Sequence, residues 1–532
     1  MLHLCLHNRL KVIAGFIGFT LLSFALAPYL GQDFFPSVDG GQIKIHVRAQ
    51  TGTRIEETTK LADRIGEAIH KIIPVDQLSG IVDNIGLSVS GINMAYNNSG
   101  TIGVEDSDIL ISLKPNHAPT ADYVKTMREQ LPRLFPGASF AFLPADMVSQ
   151  ILNFGVPAPI DLQVIGNDLQ ADRKYADELL SRIKRIPGIA DARIQQAFQQ
   201  PTLNVNVDRS LAGLVGLSEK DAATTMLTTL DGSSQINQIY WLNPKTGVSY
   251  PVSVQTPQRD IDTMKGLRNM PLTAGAGSGT DSQLLGGLAT IQRTRSDAVA
   301  SHYNVRPVID IYATPQGRDL GAVATDVRQA MQDTARDVPK GASVVLRGQV
   351  TTMTSAYQQL FVGLTLAIVL IYLLIVVNFQ SWLDPFVVIL ALPTALAGII
   401  WILFATGTTL SVPALTGAIM CMGVGTANSI LVIAFARERM AAGADAITAA
   451  MEAGSTRIRP VLMTALAMVI GMVPMAIEPG QNTPLGRAVI GGLIFATSAT
   501  LFLVPTVFSL VHGRARKPIE ASPPGPALPS HA

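Results

Sequence analysis

The sequence predicts an α-helical membrane protein that also carries a large water-exposed α+β domain. Three observations predict it. The 532 residues are 48% hydrophobic and only 15% charged, with a mean hydropathy of +0.32, too apolar for an ordinary soluble protein and too charged for a chain lying wholly in lipid. The long apolar runs fall in two places, one near the start and five near the end. Between them, residues 31–359 alternate short strand-like and helix-like patterns.

A membrane-crossing helix needs about 20 mostly apolar residues. Residues 12–30 meet that requirement first, followed by 360–377, 385–405, 410–436, 460–477 and 488–511. The "ALA" at 25–27 resembles a signal-peptide cleavage site, but Pro28 directly after it argues against cleavage. Basic residues set the orientation. Arg9 and Lys11 precede the first span, Arg437, Arg439, Arg457 and Arg459 lie between the fourth and fifth, and Arg514, Arg516 and Lys517 follow the sixth. With six spans these clusters share one side, expected to be the cytoplasm, which puts 31–359 on the other. A cysteine introduced at Ser278 is expected to react with an impermeant thiol reagent from outside, and one at Gly443 only after the membrane is opened. The reverse pattern overturns the topology.

The water-exposed region reads as repeated β-α-β units. "QIKIHVRA" alternates like a strand, and "TRIEETTKLADRIGEAIHKI" follows with helical periodicity and acids in its early turns. "DILISLKP", "TADYVKTMREQLPRLF" and "SFAFLPA" form a second set; "PIDLQVIG", "DRKYADELLSRIKRI" and "DARIQQAF" a third; "PVIDIYA", "LGAVATDVRQAMQDTA" and "SVVLRGQ" a fourth. An insertion at 198–302 separates the last two. It contains a candidate hairpin with Tyr240 and Trp241, and a glycine-rich stretch, "TAGAGSGTDSQLLGG", whose spacing fits a loop and not a nucleotide cradle. The proline-rich tail at 513–532 reads as disordered.

Composition excludes several functions. A net charge of +1 gives no field for nucleic acid. Two cysteines, Cys5 and Cys421, form no disulfide framework, and the eight histidines lack metal-ligand spacing. No phosphate-binding GxxxxGK[ST] loop is present. The reading is therefore of a non-enzyme that needs no cofactor and takes no nucleic-acid partner. The segment "MCMGVGTANSILVIAF" at 420–435 is the strongest chemical signal. It is apolar enough for lipid yet holds Thr426, Asn428 and Ser429 at its middle, and a polar group in lipid needs a partner. None of the six spans as bounded above has an Asp, Glu, Lys, Arg or His in its interior.

This plan resembles the C-terminal half of a resistance-nodulation-division (RND) efflux permease of the acriflavin-resistance, multidrug-exporter type. The residues that carry the resemblance are "LGQDFFPSVDGGQIKIHVRAQTGTRIEET", "VVNFQSWLDPFVVILALPTALAG", "GVGTANSILVIAFARERMAAG" and "RIRPVLMTALAMVIGMVPMA", and it extends over about 8–512. It implies a first segment at 1–30, ferredoxin-like β-α-β porter subdomains at 31–147 and at 148–197 with 303–348, a docking-like insertion at 198–302, and a five-helix bundle at 349–512. It further implies a proton antiporter in the bacterial inner membrane with a large periplasmic domain, assembled as a trimer. The implied partners are a periplasmic adaptor, an outer-membrane channel and an N-terminal permease half carrying an intramembrane aspartate pair. The implied cargo is a small amphipathic compound. Asn428, Thr426, Ser429 and Thr464 would support the proton relay, with Arg459 at the cytoplasmic mouth, and Met94 and Tyr96 would contact cargo. Asn428 offers an amide to a carboxylate; Thr426, Ser429 and Thr464 serve equally as small packing residues or hydroxyls bonded to their own helix. Ala427 stands where many drug exporters of the family have a lysine. A non-transporting truncated, assembly or docking chain, an auxiliary subunit of protein secretion, and a heavy-metal cation exporter remain alternatives.

Overall fold

The computed structural model describes residues 2–87, 101–153, 155–273 and 282–513. Met94, Tyr96, most of the glycine-rich stretch and nearly all of the proline-rich tail lie outside the described residues. The chain divides into two compact units, one of residues 1–196 and 300–532 and the other of Ala197–Val299.

In the first unit, six helices are long and apolar enough to cross a membrane: Arg9–Tyr29, Gln349–Phe379, Leu383–Ala405, Val412–Ala441, Ala446–Ile477 and Thr483–His512. They are called spans 1 to 6 here. Small residues decide their packing. A side-chain carbon added to Gly398 in span 3 would lie 2.6 Å from the Gly491 carbonyl oxygen of span 6, and one added to Gly491 would lie 2.7 Å from the Gly398 oxygen. The two backbones meet with nothing between them, as small residues allow in membranes. Spans 3, 4 and 6 form the interior of the bundle, and span 6 is 72% buried whereas span 2 is 6% buried. Spans 1, 2 and 5 thus turn most of their apolar surface outward.

A four-stranded and a five-stranded sheet complete this unit. Strands Gln42–Arg48, Leu78–Ile85, Asp106–Leu113 and Ser139–Leu143 form the first, ordered second, third, first, fourth across the sheet and antiparallel throughout. The sequence reading missed Leu78–Ile85 and divided these strands into separate β-α-β sets; the sheet joins them as one. Helices Ile55–Ile72 and Thr120–Leu134 supply its core, where Ile65, Ile69, Met127 and Leu131 pack against Ile43, Ile45 and Val47. Strand alternation then sends Lys44, His46 and Arg48 to the opposite face. Helix Ile55–Ile72 carries Glu56 and Glu57 in its first turn and His70 and Lys71 in its last, charges that complement its dipole.

The second sheet repeats the order with strands Ile160–Ile165, Ile189–Ile194, Arg306–Pro315 and Ser343–Gly348 and helices Leu169–Ile183 and Leu320–Asp333, and the two-residue strand His302–Tyr303 pairs with the start of Arg306–Pro315 as its fifth. Its pairing of Ile160–Ile165 with Arg306–Pro315 joins residues from before and after the second compact unit.

The exit from span 1 is fastened by backbone groups. Leu410 N–H donates to the Gly31 carbonyl at 2.8 Å, and Asp33 N–H donates to the Leu410 carbonyl at 3.0 Å. Asp33 Oδ1 accepts from Leu320 N–H at 2.8 Å. Burial, partly opposed by that bond, leaves the Asp33 carboxyl above its usual range.

The second compact unit has a core of Ala212, Leu217, Ala222, Leu267, Met270, Leu272, Leu285 and Leu288. Strands Gln200–Val207 and Ala289–Ser296 pair antiparallel. Helix Glu219–Asp231 starts in a capping box between Ser218 and Asp221. Strands Ile239–Leu242 and Ser249–Val252 form a hairpin on which Tyr240 and Trp241 are exposed.

Candidate functional site

Span 4 carries the polar kernel. Asn428 is 4% exposed, and Ser429 and Thr426 are also buried. Two helical turns without charge fix these groups inside the bundle, so each must find a partner among its neighbours. Thr426 donates to the Met422 carbonyl of its own helix. Ser429 bonds the Gly425 carbonyl at 2.9 Å and also meets the Thr500 hydroxyl at 2.9 Å. Thr464 of span 5 donates to Asn428 Oδ1 at 3.1 Å while also reaching its own Val461 carbonyl at 3.0 Å. The single hydroxyl proton of Thr464 is shared between these two acceptors. The oxygen end of Asn428 is engaged. Among the described residues its Nδ2 end makes no hydrogen bond, so a donor remains for a further acceptor.

The structure thus brings Asn428, Thr464 and Ser429 together and leaves Thr426 to its own helix. Arg459 is exposed on span 5 and makes no contact with the kernel among the described residues. Thr500, which sequence reading missed, lies in Ala499–Leu503, a π-helical segment of span 6. One hydroxyl in an apolar run has no pattern to mark it; the widened turn that presents it appears only in three dimensions.

A second missed group changes the account of charge. Asp384 opens span 3, is 1% exposed and lies 3.3 Å from Arg437 of span 4 and 3.3 Å from His512 of span 6. Arg437 also donates to the Phe379 carbonyl at the end of span 2 at 2.6 Å. His512 stacks on Phe508, with ring centroids 4.3 Å apart. Four spans are tied at one end by this cluster. The sequence boundary at Pro385 stopped one residue short of Asp384, so the spans as first bounded looked free of acid.

Among the described residues, no three His, Cys, Asp or Glu side chains converge to hold a metal ion. Met147, a soft side chain at the start of helix Met147–Leu152, is exposed.

The chain matches the AcrB/AcrD/AcrF family over residues 1–512. It is 26% identical to the cobalt-zinc-cadmium resistance protein CzcA of Cupriavidus metallidurans over 92% of this chain and 46% of that protein. It is also 26% identical to protein HelA of Legionella pneumophila over 98% of this chain and 50% of that protein. The crystal structure of a heavy metal efflux pump superposes with a TM-score of 0.77 at 24% identity, covering 96% of this chain and 51% of that one, a likeness of fold. The chain spans about half the length of the curated relatives it matches. With its six apolar helices and mixed α+β architecture, it belongs to the AcrB/AcrD/AcrF family, the RND permeases.

Proposed function

We propose that the chain is the C-terminal half of a proton-driven RND efflux permease in the bacterial inner membrane, working with an N-terminal half that supplies the intramembrane aspartate pair. The observation that carries this reading is the Asn428 carboxamide, buried in span 4, with its oxygen held by Thr464 and its nitrogen end without a bond among the described residues. A carboxylate of the absent half is the acceptor that fits it. Span 5 beside Thr464 is apolar and open, with Met463 70% exposed, which suits lipid or a second helical half. The shared order of the four main strands in each sheet supports reading the two as ferredoxin-like porter subdomains. Ala197–Val299 would be the docking unit, with trimer neighbours, a periplasmic adaptor and an outer-membrane channel as its class of partners.

For cargo, the relatives' names favour a heavy-metal cation. CzcA and the nickel-cobalt-cadmium resistance protein NccA are matched over 92% and 94% of this chain. The amphipathic cargo that the resemblance implied rests on Met94 and Tyr96, outside the described residues, and is the second reading.

The test reconstitutes the chain with and without its N-terminal half in proteoliposomes and follows proton flux with Zn2+, Co2+ or an amphipathic dye as cargo. Both halves together are expected to move protons with Zn2+ or Co2+. Asn428→Ala should then slow coupled flux about 10-fold at unchanged expression, the effect of losing one hydrogen bond to a charged group. Cargo-dependent proton flux by this chain alone would defeat the half-permease reading, and flux with the dye but not the metals would favour the second cargo.

A further inference from the structure

The two sheets of the first unit meet along their edges, where strand Ser139–Leu143 of the first lies beside strand Ile189–Ile194 of the second. Among the described residues no backbone ladder joins these edges. Side chains fasten them instead. Asp191, in the left-handed region at φ +55°, accepts from Phe142 N–H at 3.1 Å and from Arg128 Nε of helix Thr120–Leu134 at 3.1 Å. Arg48 of the first sheet donates from Nη1 to the Gln195 carbonyl, just past the second sheet's edge strand, at 2.9 Å. Its Nε and Nη2 grip Asp106 at 2.7 and 3.1 Å, so Asp106 seats the guanidinium that reaches across.

His46 stands behind the second fastening and is 1% exposed. Its Nδ1 lies 2.8 Å from Asp108 Oδ1. Its Nε2, buried and without a hydrogen-bond partner, lies 3.9 Å from Asp106 Oδ1. The charged groups that face it are Asp106 and Asp108 on strand Asp106–Leu113, Lys44 and Arg48 on its own strand, and Arg193 on the second sheet; Ala141 stands opposite it on the remaining side. Asp108 is already paired with Lys44 at 3.1 Å, and Asp106 with Arg48. Three cations thus face two carboxylates, which leaves no negative charge for an imidazolium. A neutral ring that donates from Nδ1 to Asp108 and keeps a bare Nε2 is the tautomer this network requires. Burial, only partly offset by the aspartates, holds the imidazole below its ordinary value of 6.5.

We propose that His46 is an acid-operated release for the junction of the two sheets: neutral, it leaves Asp106 to seat Arg48 against Gln195, and protonated, it competes for Asp106 and repels Arg193 across the junction. Protonation places a donor on Nε2, and the nearest acceptor for it is the Asp106 oxygen that now serves Arg48. It also adds a fourth positive charge to the cluster, which is costly in a buried site. Both effects weaken the hold of the first sheet on the second. The clasp of Asp191 with Arg128 and Phe142 contains no histidine and continues to hold in acid, so the edges open more often without coming apart. The sign follows from the depressed value. Neutral His46 stabilises the closed junction fully above about pH 6.5, and that stabilisation is lost as pH falls from there. The release belongs to the sheets and is independent of what the permease exports.

The test is hydrogen exchange of the whole chain in detergent, read at single amides. The unsubstituted chain is compared at one pH with His46→Asn, which keeps a donor for Asp108 but cannot titrate, so the intrinsic pH dependence of exchange cancels. The Phe142 amide, whose partner is on the second sheet, reports the junction. At pH 5 it is expected to exchange about 10-fold faster in the unsubstituted chain, the effect of losing one hydrogen bond to a charged group, and at pH 7.5 equally fast in both. Amides of strand Gln42–Arg48, inside the first sheet, should not differ. Equal Phe142 rates at pH 5 would overturn the proposal, and so would an equal acceleration of strand Gln42–Arg48, which would mean that acid loosens the whole sheet and not its junction. Should His46→Asn not fold, a titration of the unsubstituted chain labelled with 15N-histidine decides. His46 should be neutral with a bare Nε2 at pH 7.5 and become charged only below pH 6.5. Charging above pH 6.5, or a bare Nδ1, would overturn the proposal.

Discussion

Replacing Arg437 with alanine is expected to lower the stability of the helix bundle by about 3 kcal/mol, whereas replacing its partner Asp384 with asparagine should lower it by only about 1 kcal/mol. The asymmetry follows from burial. Asp384 is 1% exposed, so Arg437→Ala strands a carboxylate with His512 as its remaining neighbour. The same change removes the donor to the Phe379 carbonyl. In Asp384→Asn the remaining guanidinium, 40% exposed, turns to water and keeps its bond to Phe379. Thermal unfolding of the purified variants measures both losses, and the double variant should recover most of the Arg437→Ala loss. Equal losses from the two single changes would show that packing, and not charge burial, governs the cluster.

Gly491→Val should be more severe, with a loss above about 4 kcal/mol and little folded protein after solubilisation. Even a first side-chain carbon would enter the space of Ile402 and stand 2.7 Å from the Gly398 oxygen. Backbone atoms cannot yield as a flexible side chain can, so spans 3 and 6 would have to part. Gly423→Val is the control, because nothing lies within 4 Å of the carbon added there. Size-exclusion profiles and melting midpoints decide the matter: a native profile for Gly491→Val would refute the direct backbone contact.

The six long helices were legible because lipid imposes a length and composition that few other environments impose. The bounds were less so. The helix containing 460–477 begins at Ala446, since turns beyond the lipid need no apolar run. In the sheets, strands with buried alternation such as Gln42–Arg48 were readable. Leu78–Ile85 was not, for it carries Gly80, Asp83 and Asn84 and is largely exposed. Nor can periodicity reveal that Ile160–Ile165 pairs with Arg306–Pro315 across an intervening unit. The kernel residue Asn428 stood out by polarity, and Thr464 was placed beside it through the family resemblance. Thr500 and Asp384 escaped, one as an ordinary hydroxyl and the other as an acid just outside a hydropathy boundary.

The Ala197–Val299 unit begins and ends at one place, where Ala298 N–H donates to the Ala197 carbonyl at 3.0 Å. A segment whose two ends touch and which owns its core is a cassette. Closing the chain across it costs the surrounding fold little more than a short turn would, because loop entropy rises only with the logarithm of length. Such a module is free to drift in surface, to be grafted from a cousin or to be cut out behind a two-residue bridge, while the strands on either side keep their register. Change can therefore accumulate in about a fifth of the chain without touching the helix bundle or the two sheets of the other unit.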